Sequence, residues 1–294
     1  MNILFVGVFT PHSTNVAQAR GFLAAGYGVY EYDYREIASK LGNITLRDDN
    51  LINTAKELKP DIIIFSKCNH MHSRVIDECN KYSKTVLWYM DAMNNFDQEL
   101  IEKIKRVDCF INGIEGVVPH GLKYNKNTIF LAQCPDEKMN FPLHNIEYKY
   151  DTTFIGNIHP NNTHSDRIKY FQEVGFNHFD NVHGLEHNEI VNASKINLNF
   201  AHTSTNGASV RVFKILAAKS FLLTTPWVGM EKLFNIGEHL DIFTTPAELK
   251  TKIDYYINNE KERLEICNSG YKIVQKYMPA SWAEEIIKYV KQSV

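Results

Sequence analysis

Residues 197–225, NLNFAHTSTNGASVRVFKILAAKSFLLTT, decide the fold. A short apolar strand ends at Phe200, and a loop of small polar residues follows it. The pattern predicts a helix over residues 210–219 and a second strand over residues 221–225. Strand, loop, helix and strand form one β-loop-α-β unit, in which the loop meets the positive end of the helix dipole. This arrangement predicts an anion-binding site.

Arg211 and Lys214 lie three positions apart, on one face of the first turn of that helix. Their position after a glycine-containing loop favours contacts with phosphate over the alternative of solvated helix charges. The hydroxyl and amide side chains before them either join this anion site or are ordinary loop polarity; they are Thr203, Ser204, Asn206 and Ser209.

The length, net charge and cysteine content are those of an ordinary globular protein. A length of 294 residues predicts two domains of about 150 residues each. A net charge of −2 excludes a general attraction for nucleic acid or anionic membrane. No apolar run approaches the ~20 residues of a membrane span, and the first residues are typical of a strand rather than a signal peptide. Five cysteines without a C-x-x-C pair predict reduced thiols and a cytoplasmic location.

Buried strands and helical segments alternate along the first half of the chain. Near-continuous apolar runs predict strands over residues 2–8, 29–34, 61–66, 85–90 and 108–112. Such alternation is typical of a parallel sheet with helices on both faces, and ligands then lie beyond the carboxyl ends of the strands. The fold class is therefore α/β.

The alternation lapses over residues 134–150, which contain two prolines and no clean period. A second α/β set begins at Asp151, with a short strand predicted near Val182 and the opening stretch after it. Pro279 is predicted to end a helix, and a capping box at residues 281–284 to begin the last one. The expected organisation is a domain over residues 1–135, a linker over 136–150, a domain over 151–280 and a final helix over 281–294.

Further candidates follow the strands of the second domain. Gly156 and Asn157 end its first strand, where the backbone must approach a ligand closely. His159 and Arg167 come shortly after them and can reach a phosphate or a sugar; the alternative is a capping loop.

Asp91 and His12 follow strands of the first domain. An aspartate at the carboxyl end of a strand can accept a proton from an attacking hydroxyl, whereas the alternative is an Asx contact that caps the next turn. His12 is the rival base or an ordinary loop histidine. The cysteine and histidines of residues 68–72 match no closed zinc site, so no metal is expected.

Several segments together resemble the C-terminal half of GT-B glycosyltransferases of the group 1 type. They are SKINLNF (residues 194–200), RVFKILAA (211–218), FLLTT (221–225), MEKLF (230–234) with Gly237, and PAELKTKIDYYI (246–257). The resemblance is closest to the spore-maturation-protein branch. It implies two Rossmann-like domains that face each other across a central cleft, with a C-terminal helix that returns to the N-terminal domain. The donor nucleotide-sugar, a UDP-sugar, then binds the C-terminal domain and the acceptor mainly the N-terminal domain.

The resemblance also assigns roles to further residues. Group 1 enzymes commonly carry two glutamates eight positions apart, and here Asn206 and Lys214 stand at those positions. Glu231 is then the carboxylate for the ribose hydroxyls, and His183 and Leu185 lie where the family's backbone binds the base. The acceptor contacts expected in the N-terminal domain are Ser13, Asn69, His70 and Asn94. No metal or cofactor is implied beyond the donor, because helix dipoles and basic side chains neutralise the leaving diphosphate.

The expected activity is transfer of a sugar to a hydroxyl acceptor by a monomer or homodimer. The acceptor is either a surface or spore glycan precursor or a hydroxymethylated base of phage DNA, in which case the location is the host cytoplasm. A DNA acceptor needs a basic rim, for which the candidates are residues 103–106, residues 120–126 and Arg74. The alternatives are a nucleotide-sugar epimerase and a non-catalytic nucleotide-sugar-binding protein.

Overall fold

The computed structural model of the chain describes residues 1–91, 96–158, 166–201 and 207–292. The chain forms two compact units. Unit 1 holds Met1–Ala132 and the C-terminal helix from Pro279, and unit 2 holds Gln133–Met278. Each unit contains one parallel sheet, which confirms the α/β fold class with two Rossmann-like domains.

Unit 1 is built from alternating strands and helices. In chain order they are β1 (Asn2–Gly7), α1 (Thr14–Ala24), β2 (Gly28–Asp33), α2 (Tyr34–Leu41), α3 (Ile44–Leu58), β3 (Ile62–Ser66), α4 (Arg74–Cys79), β4 (Lys84–Tyr89), α5 (Gln98–Arg106), β5 (Cys109–Asn112), α6 (Val118–Gly121) and β6 (Thr128–Phe130). The sheet order is β2-β1-β3-β4-β5-β6, and all neighbours are parallel. Every residue of β3 is buried, as its run of apolar side chains predicts for a central parallel strand.

Unit 2 repeats this architecture with a smaller sheet. Its elements are β7 (Tyr150–Ile155), α7 (Asp166–Val174), β8 (Asn177–Phe179), α8 (Gly184–Asn192), β9 (Ser194–Asn199), α9 (Val210–Ala217), β10 (Leu222–Thr224), α10 (Met230–Leu233), β11 (Asp241–Ile242), α11 (Pro246–Asn258) and α12 (Glu260–Val274). The parallel sheet has the order β11-β10-β9-β7-β8. Thr245 caps α11 through the amide of Glu248, at 3.1 Å.

One sequence prediction about a strand was wrong. The short strand lies at Asn177–Phe179 and not near Val182, because a three-residue edge strand leaves almost no periodic signal. The segment over residues 136–150 belongs to unit 2 and is tied to α8. There the side-chain oxygens of Asn188 and Asn192 accept hydrogen bonds from the amides of Phe141 and Leu143.

The last helix, α13 (Pro279–Gln292), begins two residues earlier than expected. Pro279 opens this helix and does not end the previous one, because proline is well suited to the first turn, where its missing N–H has no partner to lose. The indole of Trp282 contacts Phe22 and Trp88 with ring centroids 5.7 and 5.2 Å apart. The helix is thereby part of the core of unit 1.

Gly21 of α1 makes the close approach of α13 possible, since a Cβ there would lie 2.2 Å from the Pro279 carbonyl oxygen. We expect Gly21→Ala to lower the free energy of unfolding by about 3 kcal/mol, because the clash outweighs the ~1 kcal/mol gain in helix propensity. Urea denaturation measures this, with Leu23→Ala on the exposed side of the same helix as the control. A Gly21→Ala variant as stable as the wild type would contradict this packing.

The two sheets share one topological feature. In each, the chain starts on an inner strand, moves outward on one side and then crosses to the other side. The direction of winding therefore changes between β1 and β3 in unit 1, and between β7 and β9 in unit 2. Ligands of open α/β sheets bind outside the carboxyl ends of the strands at such a switch point.

Candidate functional site

The switch point of unit 2 holds the guanidinium group of Arg211. This side chain leaves the first turn of α9 and reaches back between the strand ends. Its Nε donates to the carbonyl oxygen of Ile155 at 2.8 Å, and its Nη1 donates to Oδ1 of Asn199 at 2.9 Å. Arg211 thus connects the end of β7 with the end of β9.

Arg167 of α7 connects the same two strand ends from another helix. It is only 8% exposed, and it donates to the carbonyl oxygens of Asn157 at 3.0 Å and Phe200 at 3.4 Å. Both guanidinium groups lie over the ring of Phe154, at 5.3 Å for Arg167 and 4.9 Å for Arg211. A single aromatic ring therefore supports two neighbouring positive charges through cation–π contact.

Gly156 leaves the room that Arg211 occupies. Its φ of +150° lies in the region that favours glycine, and a Cβ there would stand 2.5 Å from Nη2 of Arg211. Its carbonyl oxygen contacts Nε2 of His178 at 2.6 Å. The glycine predicted for close approach to a ligand is thus needed first for close approach of an arginine.

The two arginines of this site form no ion pair with a carboxylate of the described residues, whereas Lys214 has the charge of Asp136 near it. Lys214 itself is partly buried. Burial lowers the pKa of Arg167 to about 10, and burial together with the charge of Arg167 lowers the pKa of Arg211 to about 9. Burial and the charge of Arg211 also lower the pKa of Lys214, although the negative charge of Asp136 acts in the opposite direction. Burying cations without counter-charges costs free energy, so the arrangement suits an anionic ligand.

His187 of α8 lies beside these cations. It is 7% exposed, and its Nδ1 has no hydrogen-bond partner among the described residues. Burial lowers its pKa to about 3, with smaller contributions from the charges of Lys214 and Arg211. The imidazole is therefore neutral at physiological pH.

We expect this histidine to make unit 2 sensitive to acid. The folded chain excludes a proton that the unfolded chain accepts below a pKa of about 6.5, so stability falls as the pH drops through that value. Between pH 7 and pH 5 the free energy of unfolding should fall by about 2 kcal/mol through His187 alone. His187→Gln should remove this part of the pH dependence in urea titrations, whereas His144→Gln, at an exposed position of the same unit, should not.

Ser209 is positioned at the start of α9, but its hydroxyl does not cap the helix. It donates instead to Oδ1 of Asn199 at 2.9 Å. Gln133 supports the preceding backbone, because its Nε2 donates to the carbonyl oxygen of Ala208 at 3.2 Å. No pattern in the sequence pointed to Gln133, since the stretch that follows it has the composition of a linker.

The remaining residues predicted to bind the donor lie on two other helices or outside the described ranges. His183 is the N-cap residue of α8, and Leu185 is exposed in the first turn of that helix. Glu231 is exposed in the first turn of α10. Four predicted donor residues lie outside the described ranges: His159, Thr203, Ser204 and Asn206.

In unit 1, a strained loop follows β3. Lys67, Cys68 and His70 have φ values of 58°, 51° and 58°, which non-glycine residues rarely adopt. The Nζ of Lys67 lies 2.6 Å from Oδ1 of Asp91, at the end of the neighbouring strand β4. Such strain persists where the surroundings enforce it, and it concentrates at functional sites.

Buried charges on two sides hold this loop. Arg47 donates to the carbonyl oxygen of His70 at 2.7 Å and is paired with Asp48. Lys103 donates to the carbonyl oxygen of Cys68 at 2.6 Å. Neither the strain nor the Lys67–Asp91 pair could be seen in the sequence, since both depend on neighbouring elements.

The structure describes the positions of most residues of unit 1 that were predicted to contact the acceptor or to act as its base. Ser13 is the N-cap residue of α1 and accepts from the amide of Asn15 at 3.3 Å. The side chains of Asn69 and His70 are exposed on the strained loop, and His12 is exposed after β1. Asn94 lies outside the described residues.

The candidate basic rim is largely neutralised. Lys103 is buried and pairs with Glu99, Lys105 and Arg106 pair with Glu102, and Arg74 pairs with Asp49. In the described ranges, no group of three or more histidine, cysteine or acidic side chains could hold a metal ion. No helix in that part of the chain has both the length and the apolar character to cross a membrane.

Known proteins resemble this chain in sequence family and in fold. A family model described as glycosyl transferase-like matches residues 140–288, about half of the chain. Among curated proteins, none matches the sequence. HepE of Anabaena in complex with UDP has a TM-score of 0.68 and 10% identity, over 99% of this chain and 100% of that chain. Sucrose-phosphate synthase from Thermosynechococcus elongatus and a glycosyltransferase from Rickettsia africae each have a TM-score of 0.64 and 10% identity, over 99% of this chain and 98% of theirs. The shared fold is that of the two-domain GT-B glycosyltransferases.

Proposed function

Because the chain belongs to the glycosyl transferase-like family, we propose that it is a GT-B enzyme that transfers a sugar from a UDP-sugar to a hydroxyl acceptor. The observation that carries this proposal is the pair Arg167 and Arg211 at the switch point of unit 2, which form no ion pair with a carboxylate of the described residues. A diphosphate supplies the missing negative charge. The complexes of HepE with UDP and with UDP-glucose support uridine as the nucleoside.

We assign the leaving group to unit 2. As the bond between the anomeric carbon and the β-phosphate oxygen breaks, its electron pair stays on the departing UDP. Arg211, Lys214 and the amino end of α9 stabilise that charge without a metal ion. The same pocket is shaped by Gly156, Asn157, Arg167 and Ser209. The proposed contacts to the base and the ribose are His183, Leu185 and Glu231.

We assign the acceptor proton to unit 1. The acceptor oxygen forms the new bond to the anomeric carbon and transfers its proton to Asp91, with His12 as the rival base. Lys67 orients the Asp91 carboxylate through their ion pair at 2.6 Å. Asn69 and His70, on the strained loop, are the proposed acceptor contacts.

The charge distribution of unit 1 favours a glycan over DNA as the acceptor. Arg74 and the cations of residues 103–106 are paired with carboxylates of the same unit, so they supply little net charge for phosphate binding. The five buried free thiols support a cytoplasmic location. The segments from Asp151 onward further support membership of the spore-maturation-protein-like branch of group 1.

A donor and acceptor panel tests the proposal. The protein is incubated with UDP-glucose, UDP-galactose, UDP-N-acetylglucosamine or GDP-mannose, each with alkyl glycosides or with an oligonucleotide that contains hydroxymethylcytosine. We expect UDP release and an alkyl glycoside that is heavier by one sugar. A change in the oligonucleotide would favour the DNA acceptor, and conversion of the donor without UDP release would identify an epimerase. Binding without turnover would leave only a nucleotide-sugar-binding protein.

A further inference from the structure

We propose that Asn199 is a positioning residue of the donor site. Its amide fixes the guanidinium of Arg211 and, because it is neutral, leaves the positive charge of Arg211 available to the diphosphate. This inference rests on the proposed function. It concerns a residue that does not touch the reacting atoms but acts through Arg211.

Asn199 is the last residue of β9 and is fully buried. Its Oδ1 accepts two hydrogen bonds, from Nη1 of Arg211 and from the hydroxyl of Ser209, each at 2.9 Å. Its Nδ2 donates to the hydroxyl oxygen of Thr224 on the neighbouring strand β10, at 2.9 Å. All three contacts lie at the same end of the sheet, so the side chain is held from both sides.

The direction of these hydrogen bonds determines which way the amide faces. The hydroxyl of Thr224 gives its single proton to the carbonyl oxygen of Thr225, at 3.0 Å. Its oxygen can therefore only accept from Asn199, which places the amide nitrogen toward Thr224 and the amide oxygen toward Arg211. A chain of hydrogen bonds that starts at a backbone carbonyl thus orients the guanidinium.

The amide of Asn199 binds Arg211 without neutralising its positive charge, as a carboxylate would. Two buried arginines elsewhere in the chain have a carboxylate partner: Arg47 pairs with Asp48 at 2.7 Å, and Arg263 pairs with Glu260 at 3.2 Å. An aspartate at position 199 could accept the same two hydrogen bonds as Asn199. It would also neutralise Arg211, because opposite charges at this distance attract strongly in a poorly solvated site.

The hydrogen bond between Ser209 and Asn199 also affects the amino end of α9. Because its hydroxyl is directed to Asn199, it does not cap the first turn of α9. The positive end of the helix is thereby left for the same ligand that Arg211 attracts. The amide of Asn199 therefore organises both contributions to the anion site.

Titration calorimetry with UDP and with uridine tests this role. We expect the wild type to bind UDP at least about tenfold more tightly than uridine, because only UDP carries the diphosphate. Asn199→Asp should lower the affinity for UDP by about tenfold or more and leave the affinity for uridine unchanged. Thr224→Val, which removes the hydroxyl that orients the amide, should lower the affinity for UDP in the same selective way but by a smaller factor.

Asn197→Asp is the matched control, since Asn197 is buried on the same strand but donates to the carbonyl oxygen of Val191. It should preserve the ratio of UDP to uridine affinity. An unchanged ratio in Asn199→Asp overturns the inference. Thermal unfolding with pyrophosphate separates this inference from the proposed function. If UDP does not bind but pyrophosphate stabilises the wild type and not Asn199→Asp, the inference stands and the UDP-sugar donor is wrong. If neither ligand binds, both are wrong.

Discussion

Arg211→Ala is expected to weaken UDP binding by about 100-fold and to abolish UDP release from a UDP-sugar. The guanidinium of Arg211 contacts both strand ends at the switch point, through Ile155 and Asn199. A loss of about 100-fold corresponds to about 2.7 kcal/mol, which is typical for removal of a charged group that pairs with a buried anion. Titration calorimetry with UDP measures it directly.

The same substitution should change stability little. Removing Arg211 leaves the carbonyl oxygen of Ile155 without its donor, but it also removes a positive charge that repels Arg167. Arg263→Met is the control in the same unit, because Arg263 is a buried arginine that is bonded to Tyr256 and Glu260. It should lower stability and leave UDP affinity unchanged. Equal UDP affinity in Arg211→Ala and the wild type would show that the diphosphate binds elsewhere.

Asp91→Asn is expected to reduce the rate of sugar transfer by about 100-fold to 10,000-fold and to leave UDP binding unchanged. The asparagine keeps the shape of the side chain but cannot accept the proton of the acceptor hydroxyl, a step of this typical size. It also removes the charge that pairs with Lys67. The rate is measured as UDP release with the donor and acceptor that the panel identifies.

Asp97→Asn provides the control for this experiment. Asp97 caps α5 by accepting from the amide of Leu100 at 2.8 Å, and asparagine caps helices equally well, so activity should be retained. His12→Gln tests the rival base. If His12→Gln abolishes transfer while Asp91→Asn does not, the proton goes to His12 and Asp91 only orients Lys67.

Much of the fold was predictable because its signals are local. The apolar runs of β1, β3, β4 and β5 predicted a parallel sheet, and the helix start at Val210 was placed correctly. The errors lie where local signals conflict or fade. Pro279 and Ser281 both resemble helix starts, and β8 has only three residues. In such places packing decides between alternatives that the sequence leaves nearly equal in free energy.

The candidate site was predictable in part. A polar loop before a helix indicated Arg211 and Lys214, since a helix start attracts anions whatever surrounds it. Asn199 was not found, because a polar residue at the end of a buried strand has no distinctive spacing. His187 was missed for a related reason: its burial near the charges of Lys214 and Arg211 depends on residues that are distant in the sequence.

The local patterns of the sequence predicted most strands and helices of this protein and a cationic helix start after β9. Only the tertiary structure decided which charges remain without a partner. Lys103, Lys105 and Arg106 resemble a basic rim in the sequence, yet carboxylates of unit 1 pair with them. Arg211 is paired with an amide. The physical reason is that periodicity and helix dipoles act along the chain, whereas neutralisation of a charge depends on groups that folding brings within a few ångströms.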